Sequence, residues 1–349
     1  MKAARLYGAK DVRVEEVSDL PLSGPNAVVE VEWCGICGSD LHFYLGGGVS
    51  GVELQDKCIM GHEICGRVVY APPGSPVEQG QAVMVDPRIY CTSCSNCTKS
   101  RTNGCNVLRG LGVIGSSGGL SERVLVRPSM LYALPDSVDL STAALIEPLA
   151  VAMHGVKLSG ILQGDRDAAT ALILGGGPVG IGVVQVLRAF GVTKILVSEP
   201  STARREYVQR FGVTAFDPLA VDVKTESLAA TGQRGVDVVF DCAGAAAALK
   251  DGLGSLCFGG RYVNLALWET EIPLSLTELT RREIHLVGSC AYDDSDFKET
   301  VDALIEGKFT DLSSMVTARI PLDDIVTKGL NALLEEGEKH IKIMVNPKL

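Results

Sequence analysis

The feature that most constrains the fold of this 349-residue chain is the segment TALILGGGPVGIGVVQVLRAFG at 170–191. A short apolar run that fits a buried strand leads into three glycines and a proline, and an apolar helical pattern follows. Strand and helix patterns continue to alternate, with further strands predicted at 194–199, 235–244, 260–267 and 283–290. This alternation predicts an α/β fold with a doubly wound parallel sheet of the Rossmann type. The charge-free stretch 168–187 is not expected to span a membrane, because its glycines and proline would break the helix.

The glycines of this segment form a dinucleotide-binding motif. Gly175, Gly177 and Gly180 fit G-x-G-x-x-G, which permits a tight turn, close approach of a pyrophosphate and close packing of the helix on the sheet. Glu199 ends the next predicted strand, where a carboxylate accepts hydrogen bonds from the ribose diol and repels a 2′-phosphate. NAD(H) is therefore favoured over NADP(H). The ordinary alternative is a glycine-rich turn that binds no nucleotide.

Two arginines temper the preference for NAD(H). Arg204 and Arg205 follow Glu199 closely, and either of them could flank the adenine or, less favourably, meet a phosphate. The residues predicted to bind the cofactor are Gly175, Gly177, Pro178, Val179, Gly180, Glu199, Arg204, Cys242 and Leu265.

The remainder of the chain differs from this alternating part. Residues 1–150 show short apolar runs between Gly and Pro, which predict a β-rich region, and Asp139 or Ser141 is expected to cap a helix that follows Pro135. The net charge of −10 and the lack of a basic stripe argue against nucleic acid or an anionic membrane as partner. The N-terminal stretch lacks the apolar segment of a secretory signal, so we expect a cytoplasmic protein whose eleven cysteines form no disulfides.

Four of the cysteines, at positions 91, 94, 97 and 105, follow the spacing C-x2-C-x2-C-x7-C. Four thiolates at this spacing can close a tetrahedral zinc site that has no open position, which is a structural site. An iron–sulfur cluster is the main alternative, although the x3-C-P ending of the ferredoxin pattern is missing. A redox-active CxxC pair is disfavoured because the pair does not open a helix of a βαβ unit. The predicted structural ligands are Cys91, Cys94, Cys97 and Cys105; Cys34, Cys58, Cys65, Cys242, Cys257 and Cys290 are expected to be packing residues or free thiols.

A second group of metal-binding side chains is spread along the chain. Cys37, His62 and Glu63 are of types that zinc accepts, and Glu147 is a carboxylate within an apolar segment, where it needs a partner such as a metal ion. Each of these residues also has an ordinary structural interpretation. Spacing alone leaves the two interpretations about equally balanced.

The order of the motifs identifies a family. CGICGSDLH, GHE, the four-cysteine stretch, AALIEPLAVAMHG and GGGPVG occur in the order seen in zinc-dependent medium-chain dehydrogenases, and the chain resembles that family over its whole length. Within it the chain is most similar to the polyol dehydrogenase branch, which includes 2,3-butanediol, sorbitol, L-idonate and threonine dehydrogenases. The resemblance implies a GroES-like zinc catalytic domain at 1–152, a Rossmann NAD-binding domain at 153–291 and a segment at 292–349 that packs back on the catalytic domain. It also implies a homo-oligomer, either a dimer or a tetramer.

The resemblance further implies the roles of the catalytic residues. Cys37, His62 and Glu63 would bind the catalytic zinc, and Glu147 would hold the metal's water or exchange with Glu63. Asp40 would orient His62. The Ser39 hydroxyl would take the proton of the alcohol, which zinc acidifies, and His42 would pass it to solvent while hydride moves to C4 of NAD⁺. Each subunit would therefore hold two zinc ions, one catalytic and one structural.

Two departures from the branch bear on the substrate. Phe43 follows the relay histidine where sugar-alcohol enzymes have Tyr, and Ala291 precedes Tyr292 where they have an Arg–Tyr pair. With Phe43 and Tyr292 taken as residues of the substrate pocket, a smaller or more apolar secondary alcohol, vicinal diol or hydroxyketone is favoured. The alternatives are a zinc-containing reductase of a carbonyl or enone, for which NADPH is the other candidate cofactor, and a non-enzymatic protein that senses dinucleotides. Glu199 argues against NADPH, and the intact set of catalytic residues argues against the sensor.

Overall fold

The computed structural model describes residues 1–46, 57–113, 117–268 and 270–349, together with the backbone of 48–49 and 52–53. The chain divides into two compact units. Unit 1 comprises Met1–Glu147, Asp293–Glu306 and Asp311–Leu349. Unit 2 comprises Pro148–Tyr292 and Gly307–Thr310.

Unit 1 is built mainly of β-strands. Its main sheet has the strand order β12-β8-β7-β3-β20-β19, and β11 also pairs with β3. Strands β19 and β20 are parallel to each other, whereas the other pairs in this sheet are antiparallel. Its strands are β1 Lys2–Gly8, β2 Asp11–Glu16, β3 Ala27–Gly35, β4 Gly48–Val49, β5 Val52–Glu53, β6 Cys58–Ile59, β7 Glu63–Tyr70, β8 Ala82–Val85, β9 Arg88–Ile89, β10 Arg109–Gly110, β11 Arg123–Val126, β12 Leu131–Ala133, β19 Val316–Pro321 and β20 Lys342–Asn346.

Unit 1 also contains α-helices. They are α1 Gly38–Gly46, α2 Leu140–Ala143, α9 Asp294–Ile305 and α10 Asn331–Glu335, and α3 Ile146–Ser159 begins at the boundary of the two units. Asp139 caps α2, because its carboxylate accepts a hydrogen bond from the Ser141 backbone N–H. Alternate residues of β3 and β7, such as Val29, Val31 and Ile64, are buried in one apolar core.

Unit 2 contains a parallel sheet with the strand order β15-β14-β13-β16-β17-β18. This order, with helices between successive strands, confirms the predicted doubly wound α/β fold. Its elements are β13 Thr170–Leu174, α4 Pro178–Ala189, β14 Lys194–Ser198, α5 Thr202–Gln209, β15 Thr214–Phe216, α6 Val223–Ala230, β16 Val236–Asp241, α7 Ala246–Ser255, β17 Leu256–Asn264, α8 Leu276–Arg282 and β18 His285–Gly288.

The strand order of unit 2 reverses between β13 and β16. Leu174, the last residue of β13, pairs with Ser198 of β14 on one side and with Asp241 of β16 on the other. The loops after these strands therefore begin side by side at the carboxyl edge of the sheet. In open α/β sheets the ligand binds outside this edge, at the point where the order reverses.

Candidate functional site

Three candidate metal ligands converge in unit 1. Cys37 follows β3, whereas His62 and Glu63 lie at the start of β7, and the pairing of Gly35 with Glu63 brings these two positions together. One ligand atom from each of Cys37, His62 and Glu63 lies within 4.8 Å of the other two. A Cβ at Gly35 would collide with the Glu63 carboxylate, so this close approach requires glycine. A thiol, an imidazole and a carboxylate at these distances are a donor set that zinc accepts.

The imidazole of His62 has the surroundings of a metal ligand. Its Nδ1 is buried and has no hydrogen-bond partner among the described residues, and its Nε2 lies 3.4 Å from Ser39 Oγ. Burial lowers the pKa of His62, but the negative charges of Cys37, Asp40 and Glu147 outweigh it and leave the pKa well above the usual value. The surroundings therefore favour a positive charge at this point. A bound divalent cation meets that requirement, and His62 offers one ring nitrogen to it.

Asp40 ties the two halves of this cluster together. Its carboxylate is fully buried and accepts hydrogen bonds from the backbone N–H of Cys37 at 2.9 Å and of Gly61 at 3.3 Å. The same oxygen that faces Gly61 lies 3.9 Å from His62 Nδ1. Asp40 therefore fixes the positions of the loop that carries Cys37 and the loop that carries His62.

Lys342, which the sequence did not single out, is part of the same cluster. Its side chain is 2% exposed, and its Nζ donates to Glu63 Oε1 at 2.5 Å, to Glu63 Oε2 at 2.8 Å and to the Ile36 carbonyl at 3.1 Å. Burial lowers the pKa of Lys342. The negative charges of Glu63, Cys37 and Glu147 raise this pKa by more than burial lowers it, so the net shift is upward. The sequence does contain an indication of this role: Lys342 lies within the apolar segment IKIMV, where a buried charge needs a partner.

The other residues predicted for catalysis or for the substrate pocket lie on several elements of the two units. Glu147 is buried in the first turn of α3, and it is not one of the three clustered ligands, although its charge raises the pKa of His62. Ser39 and His42 stand one turn apart on α1. Phe43 is buried in the hydrophobic core of unit 1, and Tyr292, in unit 2, is also buried.

The four remaining candidate ligands form a separate cluster in unit 1. The Sγ atoms of the cysteines at 91, 94, 97 and 105 all lie within 4.8 Å of one another. Cys91 Sγ lies 4.0 Å from Cys97 Sγ and 3.6 Å from Cys105 Sγ. Sulfurs that share a tetrahedral zinc stand about 3.8 Å apart, and disulfide-bonded sulfurs about 2 Å. Backbone N–H groups of Ser93 and Cys94 lower the pKa of Cys91 to about 6, whereas burial raises the pKa of Cys97 to about 12, so the support for a metal site comes from the distances between the sulfurs.

The glycine motif of unit 2 has the geometry of an anion-binding turn. Gly175 has φ +95°, a conformation that favours glycine, and a Cβ at Gly180 would collide with the Gly175 carbonyl. Gly177 is the N-cap of α4 and Pro178 is its first residue, with Val179 next. The first turn of this 12-residue helix therefore directs backbone N–H groups toward the carboxyl edge of the sheet.

Glu199 is bound to the glycine motif itself. Its Oε2 accepts from the backbone N–H of Gly176 at 2.6 Å and its Oε1 accepts from that of Ser201 at 2.7 Å. Of the two arginines, Arg204 has a guanidinium nitrogen 3.7 Å from the point where a Cβ on Gly177 would lie. Arg205 instead donates to the Glu199 carbonyl and pairs with Asp217 at 3.2 Å. Arg204 is therefore the arginine that lies beside the motif.

Asp241 is a second residue that the sequence analysis missed. Its Oδ1 accepts hydrogen bonds at 3.0 Å from the N–H groups of Ala243 and Gly244, and its Oδ2 accepts one at 2.9 Å from the Tyr262 hydroxyl. Its carbonyl accepts from the Leu265 N–H at 2.9 Å. Asp241 thus holds the loops that contain Cys242 and Leu265, two predicted cofactor contacts. The indication in the sequence was that an aspartate ends the apolar segment VDVVFD, where its charge needs a partner.

Comparison with known proteins adds independent findings. Residues 24–136 match the model of the alcohol dehydrogenase GroES-like domain, and residues 178–306 match that of the zinc-binding dehydrogenase domain. The chain is 34% identical to the (R,R)-butanediol dehydrogenase of Neisseria gonorrhoeae, with 100% of each chain covered. Among the described residues, no helix is both long and apolar enough to cross a membrane.

Two solved structures extend the similarity to the fold. The 2R,3R-butanediol dehydrogenase of Bacillus subtilis superposes with a TM-score of 0.90 at 31% identity over 99% of both chains. A zinc-binding dehydrogenase of Sinorhizobium meliloti, solved with bound NADP, gives a TM-score of 0.88 at 32% identity, also over 99% of both chains.

Proposed function

The chain belongs to the zinc-binding dehydrogenase family, in agreement with the resemblance of its motifs, and we propose that it uses NAD(H) to interconvert a small vicinal diol with its hydroxyketone. The observation that carries the proposal is the convergence of Cys37, His62 and Glu63 within 4.8 Å. The alcohol dehydrogenase class follows from the family. The cofactor preference, the substrate and the residue roles are the proposal.

The residues of unit 1 have distinct roles in this reaction. When bound, zinc supplies Lewis acidity toward the substrate oxygen, and the nicotinamide accepts or returns the hydride. Cys37, His62 and Glu63 hold the metal, and Asp40 keeps their two loops in place. The Ser39 hydroxyl accepts the proton of the alcohol while it donates its own into the relay, and His42, at the end of the relay, releases a proton to solvent.

The residues of unit 2 bind the dinucleotide. The N–H groups at the start of α4 bind the pyrophosphate, and the glycines permit its approach. Glu199, fixed by Gly176 and Ser201, presents a negative charge where a 2′-phosphate would lie, which supports NAD(H) over NADP(H). Arg204 beside Gly177 supports the opposite preference, as does the NADP-bound relative, so NADPH-dependent carbonyl reduction is the competing candidate.

Side-chain chemistry and similarity to relatives both support a small diol as the substrate. Butanediol dehydrogenases from several organisms are about one-third identical to the chain over almost its entire length. Phe43 and Ala291 offer no side-chain hydroxyl or guanidinium to a long polyol. A site that lacks these partners would leave the hydroxyls of sorbitol unpaired at a cost.

We also propose that the four-cysteine cluster binds a second, structural zinc and that the protein is a homo-oligomer. The sulfur–sulfur distances of 3.6 and 4.0 Å support the structural zinc. The family resemblance alone supports the homo-oligomer, a dimer or tetramer.

The test is a substrate and cofactor screen of the purified protein. With NAD⁺ as cofactor, we expect kcat/KM for a butanediol stereoisomer to be at least about 10-fold higher than for sorbitol, L-idonate or threonine. With butanediol as substrate, we expect kcat/KM for NAD⁺ to be at least about 10-fold higher than for NADP⁺. Cys37→Ser should abolish turnover in a folded protein, whereas Cys290→Ser, which changes an exposed thiol, should not. Preference for sorbitol, or for NADPH with a carbonyl substrate, would contradict the proposal.

A further inference from the structure

Lys342 is a buried cation whose three N–H donors are all used inside the metal-ligand cluster. Two of them contact the carboxylate of Glu63, and the third contacts the carbonyl of Ile36, the residue that precedes Cys37. Both side chains of the pair are almost completely buried, at 2% and 0% exposure. Lys342 therefore contacts the candidate ligand Glu63 directly, and it also contacts the backbone immediately before the candidate ligand Cys37.

Fold stability alone does not account for this pair. A buried ion pair adds little to stability relative to apolar residues of similar volume, because desolvation offsets the attraction. The neighbouring residues of β20 are apolar and fully buried, so an apolar side chain at position 342 would suit the core. The position of the charge beside the ligand set is what requires explanation.

Charge balance at the cluster supplies that explanation. A thiolate at Cys37 and a carboxylate at Glu63 together neutralise a dication, whereas His62 binds a metal as a neutral ligand. The positive charge of Lys342, at 2.5 and 2.8 Å from the two carboxylate oxygens, offsets the charge of Glu63. A metal held by this set consequently retains a net positive charge toward the substrate oxygen.

We propose that Lys342 is a positioning residue of the metal centre: it fixes the orientation of Glu63 and offsets its charge, so that the bound metal stays electrophilic and exchangeable. This inference rests on the proposed function, in which Glu63 is a zinc ligand. It assigns to the C-terminal strand β20 a part in tuning the metal.

The test compares Lys342→Met with Lys342→Arg, which keeps the charge, and with Lys2→Met, which removes an exposed lysine paired with Asp323. In Lys342→Met, the charge of Glu63 is no longer offset and attracts the metal more strongly, so we expect chelator-induced release of the catalytic zinc to slow about 10-fold. We expect kcat to fall about 10- to 100-fold. The zinc of the four-cysteine cluster serves as the internal reference in the same release curve. Cobalt-substituted Lys342→Met should show altered d–d bands, whereas Lys342→Arg and Lys2→Met should resemble the parent protein.

Thermal unfolding separates this role from a structural one. Without metal, Lys342→Met leaves Glu63 buried without its counter-charge, so the Tm of the metal-free protein should fall more than that of the zinc-loaded protein. The inference would be overturned if Lys342→Met lowered the Tm of the metal-free and the zinc-loaded protein equally and left zinc release and the cobalt spectrum unchanged. If Lys342→Met does not fold, Glu63→Gln and the double variant provide the test, because without the carboxylate the loss of Lys342 should change zinc release less than about 2-fold.

The outcomes also separate this inference from the function on which it rests. If Cys37→Ser loses no metal relative to the parent protein, the proposed catalytic site is wrong. If it loses one zinc per chain but Lys342→Met behaves like the parent protein, only the role of Lys342 is wrong.

Discussion

Glu199 Oε2 lies 2.6 Å from the backbone nitrogen of Gly176, so the acidic residue at the end of β14 is hydrogen-bonded to the glycine-rich turn after β13. Its other oxygen accepts from the Ser201 N–H. The carboxylate that is expected to select the cofactor is therefore held in place before any cofactor binds. The proposed selection of the cofactor and the shape of the glycine-rich turn therefore both depend on the side chain of Glu199.

Glu199→Gln should reduce the preference for NAD⁺ over NADP⁺. The amide keeps an oxygen for one backbone N–H but loses the negative charge that repels a 2′-phosphate. We expect the ratio of kcat/KM for NAD⁺ to that for NADP⁺ to fall about 10-fold, as measured by steady-state kinetics. Glu206→Gln, an exposed change on the nearby helix α5, is the control. An unchanged ratio would show that Glu199 does not select the cofactor.

Tyr262→Phe should weaken NADH binding. The variant removes the hydrogen bond from the Tyr262 hydroxyl to Asp241 Oδ2 and frees the carboxylate that holds Ala243 and Gly244. We expect the Kd for NADH to rise about 10-fold, because a hydrogen bond to a charged group is lost, and fluorescence titration measures it. Tyr70→Phe, which removes an exposed hydrogen bond to the Gly24 carbonyl, should leave the Kd unchanged. A raised Kd in both variants would point to a general loss of structure.

Cys94→Ser should destabilise the protein without altering its chemistry. Loss of one thiolate opens the four-cysteine cluster, so the zinc proposed to bind there would no longer contribute its binding free energy to folding. The Tm should fall by at least about 5 °C, whereas kcat per folded molecule should stay within about 2-fold. Differential scanning calorimetry and zinc analysis measure the two effects. Loss of kcat in a protein of unchanged Tm would mean that the two clusters have been assigned the wrong roles.

Asp40→Asn should disturb the proposed metal centre by displacing the two loops that carry its ligands. The amide group replaces one acceptor by a donor that faces the backbone N–H of Cys37 or Gly61. We expect kcat/KM to fall about 10- to 100-fold and zinc occupancy to fall with it. Asp136→Asn, an exposed change in the same unit, is the matched control. Full zinc occupancy with normal turnover in Asp40→Asn would show that this carboxylate is dispensable.

The sequence was most informative where a pattern depends on local geometry. The glycines at 175, 177 and 180 predicted a strand, a turn and a helix, and β13 and α4 lie on either side of that turn. The sequence predicts either Asp139 or Ser141 as the cap of α2, because both residue types are good caps. The structure has Asp139 in that role, since its carboxylate accepts from the Ser141 N–H.

The sequence was least informative where a site depends on residues far apart in the chain. Lys342 and Glu63 are separated by 279 residues, and no local pattern links them. Asp241 and Tyr262 lie on neighbouring parallel strands, and their contact follows from the order of β16 and β17 in the sheet. Both pairs involve a charged group in an apolar strand, which signals that a partner exists but does not identify it.

The pairing of β20 with β3 has a consequence for the order in which the protein can be made. Cys37 leaves the ribosome early, but Lys342 and the strand that carries it follow only after all of unit 2 has been synthesised. During that interval the emerging catalytic region has an unpaired strand edge and a carboxylate without its counter-charge. An isolated fragment that ends before residue 316 would keep this defect permanently, so complementation by a separately supplied C-terminal piece becomes a natural way to follow assembly of the enzyme.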